Sequence, residues 1–426
     1  MRILFYTLNY APEITGTGKY TGEMAEWLAS RGHYVEVIAA PPHYPAWRID
    51  PAYRRRGFHQ EHLNGVRVFR VPVYLPEGRR IGTRERILLE CSFTISSARY
   101  WLPRLLGRTR YDVIVSICPP LQSAVPAYVY SRLRHIPYVI HVQDLQVDAA
   151  VRLGMIRNAV IVRALYGLEK KLLRYAAFVT TITEAMRVRL HTKGVGPDRT
   201  AVIPNWADLR EVTPGPRMNR FRAEVLHAGA EHVVVMYAGN MGEKQGLEVL
   251  LDAAELLRFD RRIRWVLVGD GVARDKLIKA ARMRRLENVI FLAPQPREVL
   301  GTMLTAADIQ VVIQRNEAAD LVMPSKLTNV MAAGRASIVT ASPGTTLHRL
   351  VTEAGIGLAV PPDDPRSLAE AVLHLAASPD ARMEMGARAR AYAERHFSQD
   401  AIMERFEEHL RAVVRTGSSA AHGQRR

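Results

Sequence analysis

Apolar and polar positions run through this chain in two rounds of the same rhythm. The first round opens with a strand-length apolar run, Ile3 to Thr7. It continues through a loop holding Gly16, Thr17 and Gly18, a helix from Thr21 to Ser30 and a strand from Val35 to Ala39. Asn64-Gly65, set between alternating segments, predicts a hairpin. Further strands are expected at Val113 to Ile117, Tyr138 to Val142, Phe178 to Ile182 and Ala201 to Ile203. A polar, proline-containing stretch from Pro204 to Asn219 interrupts the rhythm, which restarts at Val233 to Tyr237. There follow a helix from Leu247 to Leu257, a strand from Trp265 to Val268, a helix from Arg274 to Arg284, and strands at Val289 to Leu292, Ile309 to Ile313 and Ser337 to Thr340. The pattern is that of an α/β chain with two Rossmann-like domains, residues 1–205 and 206–390. Residues 391–415 read as a C-terminal helix crossing back to the first domain, and 416–426 as a disordered basic tail.

Composition narrows the class. At 426 residues and 48% hydrophobic, the chain can bury two full cores. Its net charge of +17 calls for an anionic partner: nucleic acid, a phosphorylated ligand or a membrane surface. Cys91 and Cys118 provide neither a disulfide framework nor a zinc cluster. The N-terminus reads as a buried strand rather than a secretory signal. The longest apolar stretch, Val113 to Tyr130, is broken by Pro119, Pro120 and Pro126 and does not suit a membrane span. A cytoplasmic protein is expected.

Candidate chemistry lies in loops between strands and helices. Pro324 and Ser325 suit the first positions of a helix whose N–H groups and dipole favour an anion, Lys326 adds a full charge, and Gly334 ends the helix. An ordinary capped helix satisfies the same segment. In the loop Tyr237 to Gly246, the glycines allow close backbone approach and Lys244 can meet a diphosphate. With Gly16 to Gly18, these loops describe a diphosphate held between the domains.

The ordered set Gly16 to Gly18, Leu28 to His33, Pro204-Asn205-Trp206, Tyr237 to Asn240, Leu267 to Gly271 and Met331 to Gly334 resembles family 4 of the retaining glycosyltransferases. The resemblance implies a GT-B fold, two Rossmann-like domains facing an interdomain cleft, and donor-site roles for Gly239, Asn240 and Gly269. His141 to Asp148 and Met323 to Asn329 resemble the colanic acid fucosyltransferase branch. That branch implies a GDP-linked sugar donor, fucose, and a polyprenyl-diphosphate-linked sugar acceptor in exopolysaccharide assembly. The family's paired glutamates fall on Leu321 and Asn329, its phosphate-binding arginine on Asn240, and its donor-sugar histidine on Gln143. Lys244 and Lys326 are then the expected diphosphate cations, and Asn329 or Asp320 the ribose or sugar contacts. His141 fits a core histidine as well as a catalytic one, and Asp144 fits a helix cap as well as a reactant-orienting group. The resemblance implies retention, with the leaving diphosphate taking the acceptor proton. The chain has no Asp-x-Asp, and no metal cofactor is expected.

Between Arg79 and Arg110, arginines including Arg84, Arg99 and Arg104 interleave with Ile87, Leu88, Ile95, Trp101 and Leu106. This basic amphipathic segment suits an anionic bilayer, hence a peripheral position on the inner face of the cell membrane. A helix packed on the first sheet with a solvated arginine face fits as well. Tyr44 and Trp47, after the second strand, are placed near the acceptor, with Arg54, Arg55 and Arg56 near a lipid phosphate. The competing classes are a non-catalytic nucleotide or nucleic-acid binder and a sugar-nucleotide epimerase. No nucleic-acid module is recognisable, so no nucleic-acid partner is expected.

Overall fold

The computed structural model describes the chain apart from Thr15, Arg55, 77–81, 108–109, 153–155, Arg157, Asp208, 315–324 and 424–426. The side chains of Thr83, Arg152, Lys244, Ser325 and 417–423 also lie outside the description. Two compact units form: Met1–Pro204 with Met403–Arg426, and Asn205–Ile402.

The first unit is built on an eight-stranded sheet. Its strands are β1 (Arg2–Tyr6), β2 (Tyr34–Ala39), β3 (His59–Leu63), β4 (Val66–Arg70), β5 (Val113–Cys118), β6 (Tyr138–Val142), β7 (Phe178–Thr181) and β8 (Thr200–Val202). They lie in the order β3-β4-β2-β1-β5-β6-β7-β8. All neighbours are parallel except β3 and β4. That pair turns at Asn64 (φ 47°) and Gly65 (φ 82°), the positive dihedrals of a two-residue hairpin. β5 and β6 are buried along their whole lengths, as strands covered on both faces must be, which is why they read as continuous apolar runs.

The second unit holds a six-stranded sheet. It comprises β9 (Val233–Ala238), β10 (Ile263–Val268), β11 (Val289–Leu292), β12 (Ile309–Val312), β13 (Ala336–Thr340) and β14 (Gly357–Val360), all parallel. The order is β11-β10-β9-β12-β13-β14. β14, with the sequence Gly-Leu-Ala-Val, escaped the pattern reading because glycine and alanine are poor strand formers.

Strand order reverses between β1 and β5 in the first sheet and between β9 and β12 in the second. Ligands of doubly wound sheets bind beyond the carboxyl ends of the strands at such points.

The helix after β1 spans Gly16–Ser30 and so takes in Gly16, Thr17 and Gly18, which were expected in a loop. Gly18 permits this start: a Cβ there would lie 2.1 Å from the Glu13 carboxylate beneath it. At the other end of the chain, helix Pro379–His396 remains in the second unit, and the return to the first comes at Met403, within helix Gln399–Gly423. Glu407 meets His33 at 2.8 Å and His409 stacks on Phe178, seating that helix on the first sheet. The helix runs through 416–423, which were expected to be disordered. Once docked, it extends at one hydrogen bond per residue without a new nucleation step.

Candidate active site

At the second switch point, β9 ends at Ala238 and the chain turns through Gly239 and Asn240, while helix Ser325–Ala332 leads into β13. Lys326, in the first turn of that helix, is brought against the β9 turn. Its Nζ donates to the Tyr237 hydroxyl at 2.7 Å and lies 4.2 Å from the ring centroid. Tyr237 in turn donates to the Asn240 carbonyl at 2.6 Å, so lysine, phenol and turn form one chain. Gly239 has φ 151°, and a Cβ there would stand 3.2 Å from the Lys326 ammonium; the missing side chain makes room for the cation. Burial pushes the Lys326 ammonium down to about 8, and the neutral phenol offers no countercharge. A desolvated cation in the first turn of a helix favours an anion twice over, by charge and by helix dipole.

Asn329, one turn on from Lys326, is half-buried. Asn240 is exposed. Gly269 packs against the Gly239 carbonyl, 2.0 Å from where its Cβ would be; close strand-end packing accounts for this glycine. Asp320, Leu321 and Pro324 fall outside the described residues, as do the side chains of Lys244 and Ser325.

At the first switch point the prominent groups are carboxylates. The Glu13 side chain is 1% exposed. It accepts from Asn9 Nδ2 at 3.0 Å and from the backbone N–H groups of His43 and Tyr44 at 3.0 and 3.1 Å. It thereby joins the loops after β1 and β2. Tyr44 reaches Gly16, Trp47 packs edge-on to Tyr44 at 5.7 Å, and Arg86 lies 4.6 Å over the Trp47 ring. Beyond β6, Gln143 is 7% exposed, and its Nε2 finds no partner among the described protein groups. Asp144 is exposed and lines a small cavity with Cys118, Leu121, Val142, Gln146 and Glu169.

Three expected site residues face the interior. His141 is 1% exposed, bonded through Nδ1 to Thr180 Oγ1 at 2.9 Å and packed on Phe406. Burial pushes it down to about 4, a neutral core histidine rather than a catalytic one. Trp101 is buried edge-on against Tyr6, and Arg104 spans Tyr111 Oη at 2.7 Å and Glu36 Oε2 at 3.1 Å. The reason is helical spacing: helix Ala98–Leu106 turns Trp101 and Arg104 inward and leaves Arg99, Leu102 and Leu106 outside.

The sequence reading missed Glu13, Tyr237 as the lysine's partner, and Glu90. Glu13 and Tyr237 carry no local signal, because the groups that give them a site role, the His43 and Tyr44 N–H groups and Lys326, are distant in sequence. Glu90 had one: Leu89 and Phe93, four apart, mark a buried helix face beside it.

Residues 15–206 match the glycosyl transferase 4-like domain and 232–378 the glycosyl transferases group 1 domain. The chain is 34% identical to the putative colanic acid biosynthesis glycosyl transferase WcaI of Escherichia coli K12, covering 95% of this chain and 98% of that one. Among solved structures it is similar to a sucrose-phosphate synthase from Thermosynechococcus elongatus, with TM-score 0.76 and 18% identity over 98% of this chain and 100% of that one. It is also similar to Anabaena HepE in complex with UDP, with TM-score 0.71 and 17% identity over 97% and 100%. The fold is GT-B, and the chain belongs to the glycosyltransferases that join a family 4-like N-terminal domain to a group 1 C-terminal domain.

Proposed function

We propose that this glycosyltransferase moves fucose from a GDP-linked donor to a polyprenyl-diphosphate-linked sugar in exopolysaccharide assembly, with retention and without a metal ion. The observation that carries the donor half is the desolvated Lys326 ammonium in the first turn of a helix at the second switch point. A diphosphate there gains a full positive charge and free helix N–H groups, and charge growing on it during departure is stabilised where it develops. The acceptor oxygen attacks the anomeric carbon on the face the diphosphate leaves, and its proton passes to the departing diphosphate oxygen. The protein positions both partners. The reading of the acceptor half rests on the similarity to WcaI, whose name places it in colanic acid biosynthesis.

A lipid-linked acceptor calls for a membrane face. Ile95 and Leu106 are 75% and 85% exposed, Ile87, Leu88 and Leu102 join them, and Arg84, Arg99 and Arg110 are exposed nearby. The occupant that matches apolar side chains among arginines is an anionic bilayer. Among the described residues no helix is long and apolar enough to cross one.

HepE holds UDP, which makes a UDP-linked donor the second reading. Thermal stabilisation by GDP, UDP, ADP and CMP separates them, since a ligand at a hundred times its dissociation constant adds about 2.7 kcal/mol. A shift confined to GDP is expected. A shift confined to UDP reassigns the donor, and a shift with oligonucleotide alone removes the transferase reading.

A further inference from the structure

Glu90 lies on helix Thr83–Ser96, whose other face carries the exposed Ile87, Leu88 and Ile95. Beside the buried Leu89 and Phe93, its carboxylate turns toward the carboxyl ends of β5 and β6. There Gln122 Nε2 donates to Oε2, and Gln146 Nε2 donates to Oε1 at 2.9 Å. The Gln146 amide is fixed in orientation, because its Oε1 accepts from the Leu121 N–H at 3.0 Å. No lysine or arginine among the described residues forms an ion pair with Glu90. The result is a half-buried carboxylate hydrogen-bonded by neutral amides from two strand-end loops, with Arg86, one turn earlier, acting on it without forming an ion pair.

Such an arrangement is a poor structural device. Two other buried carboxylates of this unit each have a cation: Glu36 has Arg104, and Glu169 has Lys193. Burial holds the Glu90 carboxyl above the ordinary glutamate range despite the two amides, so the ionised form costs stability at neutral pH. A carboxylate has roughly four acceptor sites, and two are used here. The remaining pair suits hydroxyl donors and repels phosphate. A second unmet polar group, the buried Gln143 Nε2, lies three residues before Gln146.

We infer that Glu90 binds hydroxyl groups of the acceptor sugar at the carboxyl ends of β5 and β6. The inference rests on the transferase reading above. It also gives helix Thr83–Ser96 two roles. A helix is about 10–12 Å across with its side chains, so one element holds the sugar within that distance of the apolar stripe assigned to the lipid surface. Arg86, one turn earlier and exposed, is placed for the anionic link between sugar and lipid.

The test is steady-state transfer by the full chain. The donor is the nucleotide sugar whose diphosphate gives the largest thermal shift, and the acceptors are a panel of polyprenyl-diphosphate monosaccharides, used with wild type and Glu90→Gln. The glutamine keeps size and can still bond one amide. The expected result is a fall of at least tenfold in kcat/KM for the acceptor, with donor KM and nucleotide thermal shift unchanged and Tm at pH 7 equal to or above wild type. Unchanged acceptor kinetics, or a parallel loss of donor affinity, overturns the assignment while leaving the transferase reading intact. A lowered Tm with both substrates affected assigns Glu90 to structure and also overturns it. Wild-type donor turnover into water alone, with every acceptor ignored, overturns both readings.

Discussion

The two switch points share one doubly wound topology and carry opposite charge. Beyond β9 and β12 stands a buried ammonium, Lys326, with a phenol and an aromatic face for company. Beyond β1, β5 and β6 stand carboxylates, Glu13 and Glu90, held by backbone N–H groups and amides. The topology decides where a ligand sits, and the side chains placed there decide what it is. An overall charge of +17 conceals this division, because it averages over both sites. The proposed assignments follow that division, with a diphosphate at the second unit and hydroxyl groups at the first.

Removing the cation breaks the comparison most sharply. Lys326→Met should weaken binding of the preferred nucleoside diphosphate by about 1.5–3 kcal/mol, or roughly ten- to hundredfold by titration calorimetry, the range of a charge-assisted hydrogen bond. Stability should hold or rise, since a desolvated ammonium is lost with the phenol that is its hydrogen-bond partner among the described residues. Affinity within threefold of wild type would place the diphosphate elsewhere.

A smaller effect follows from proton linkage. The free lysine titrates near 8 because burial disfavours its charge, and a bound diphosphate restores that charge and raises the value. Binding therefore takes up a proton above pH 8, so affinity is full below that value and falls as pH rises through it. Between pH 7 and 9 the dissociation constant should rise about tenfold, and Lys326→Met should flatten the profile. A flat wild-type profile would mean that the lysine stays charged throughout, or lies away from the diphosphate.

How far these sites were legible depended on where the partners came from. Both sheets could be read because parallel strands buried on two faces leave apolar runs, and the β9 turn because Gly239 and Gly242 follow a strand directly. Lys326 was legible as a cation at a helix start, but its partner Tyr237 lies 89 residues away and left no trace in the spacing. His141 and Gln143, two apart, would share one face of a strand, yet β6 stops at Val142, so the first is core and the second begins the loop. Among the described residues of the Arg79 to Arg110 stretch, apolar and basic side chains divide between a buried and an exposed face. Which arginine faces inward was set by Glu36 and Tyr111, on elements the helix itself cannot announce.

That last distinction yields the smallest predicted effect and the closest test of the first unit. On the proposed membrane reading, its strand-end carboxylates repel an anionic bilayer and the arginines outside them supply the attraction, each contributing about 1 kcal/mol near the surface. Arg99→Gln should lower partitioning onto phosphatidylglycerol-containing vesicles about fivefold, with Tm unchanged because the side chain is exposed. Arg104→Gln should do the reverse. It removes one of the groups that, after the Tyr111 hydroxyl, hold Glu36 below the ordinary glutamate range, so Tm should fall while vesicle binding stays near wild type. Sedimentation with vesicles at low and high salt reads the first effect, and thermal melting the second. Equal losses of vesicle binding in both variants would mean that net charge alone governs association, and would remove the helix face from the account.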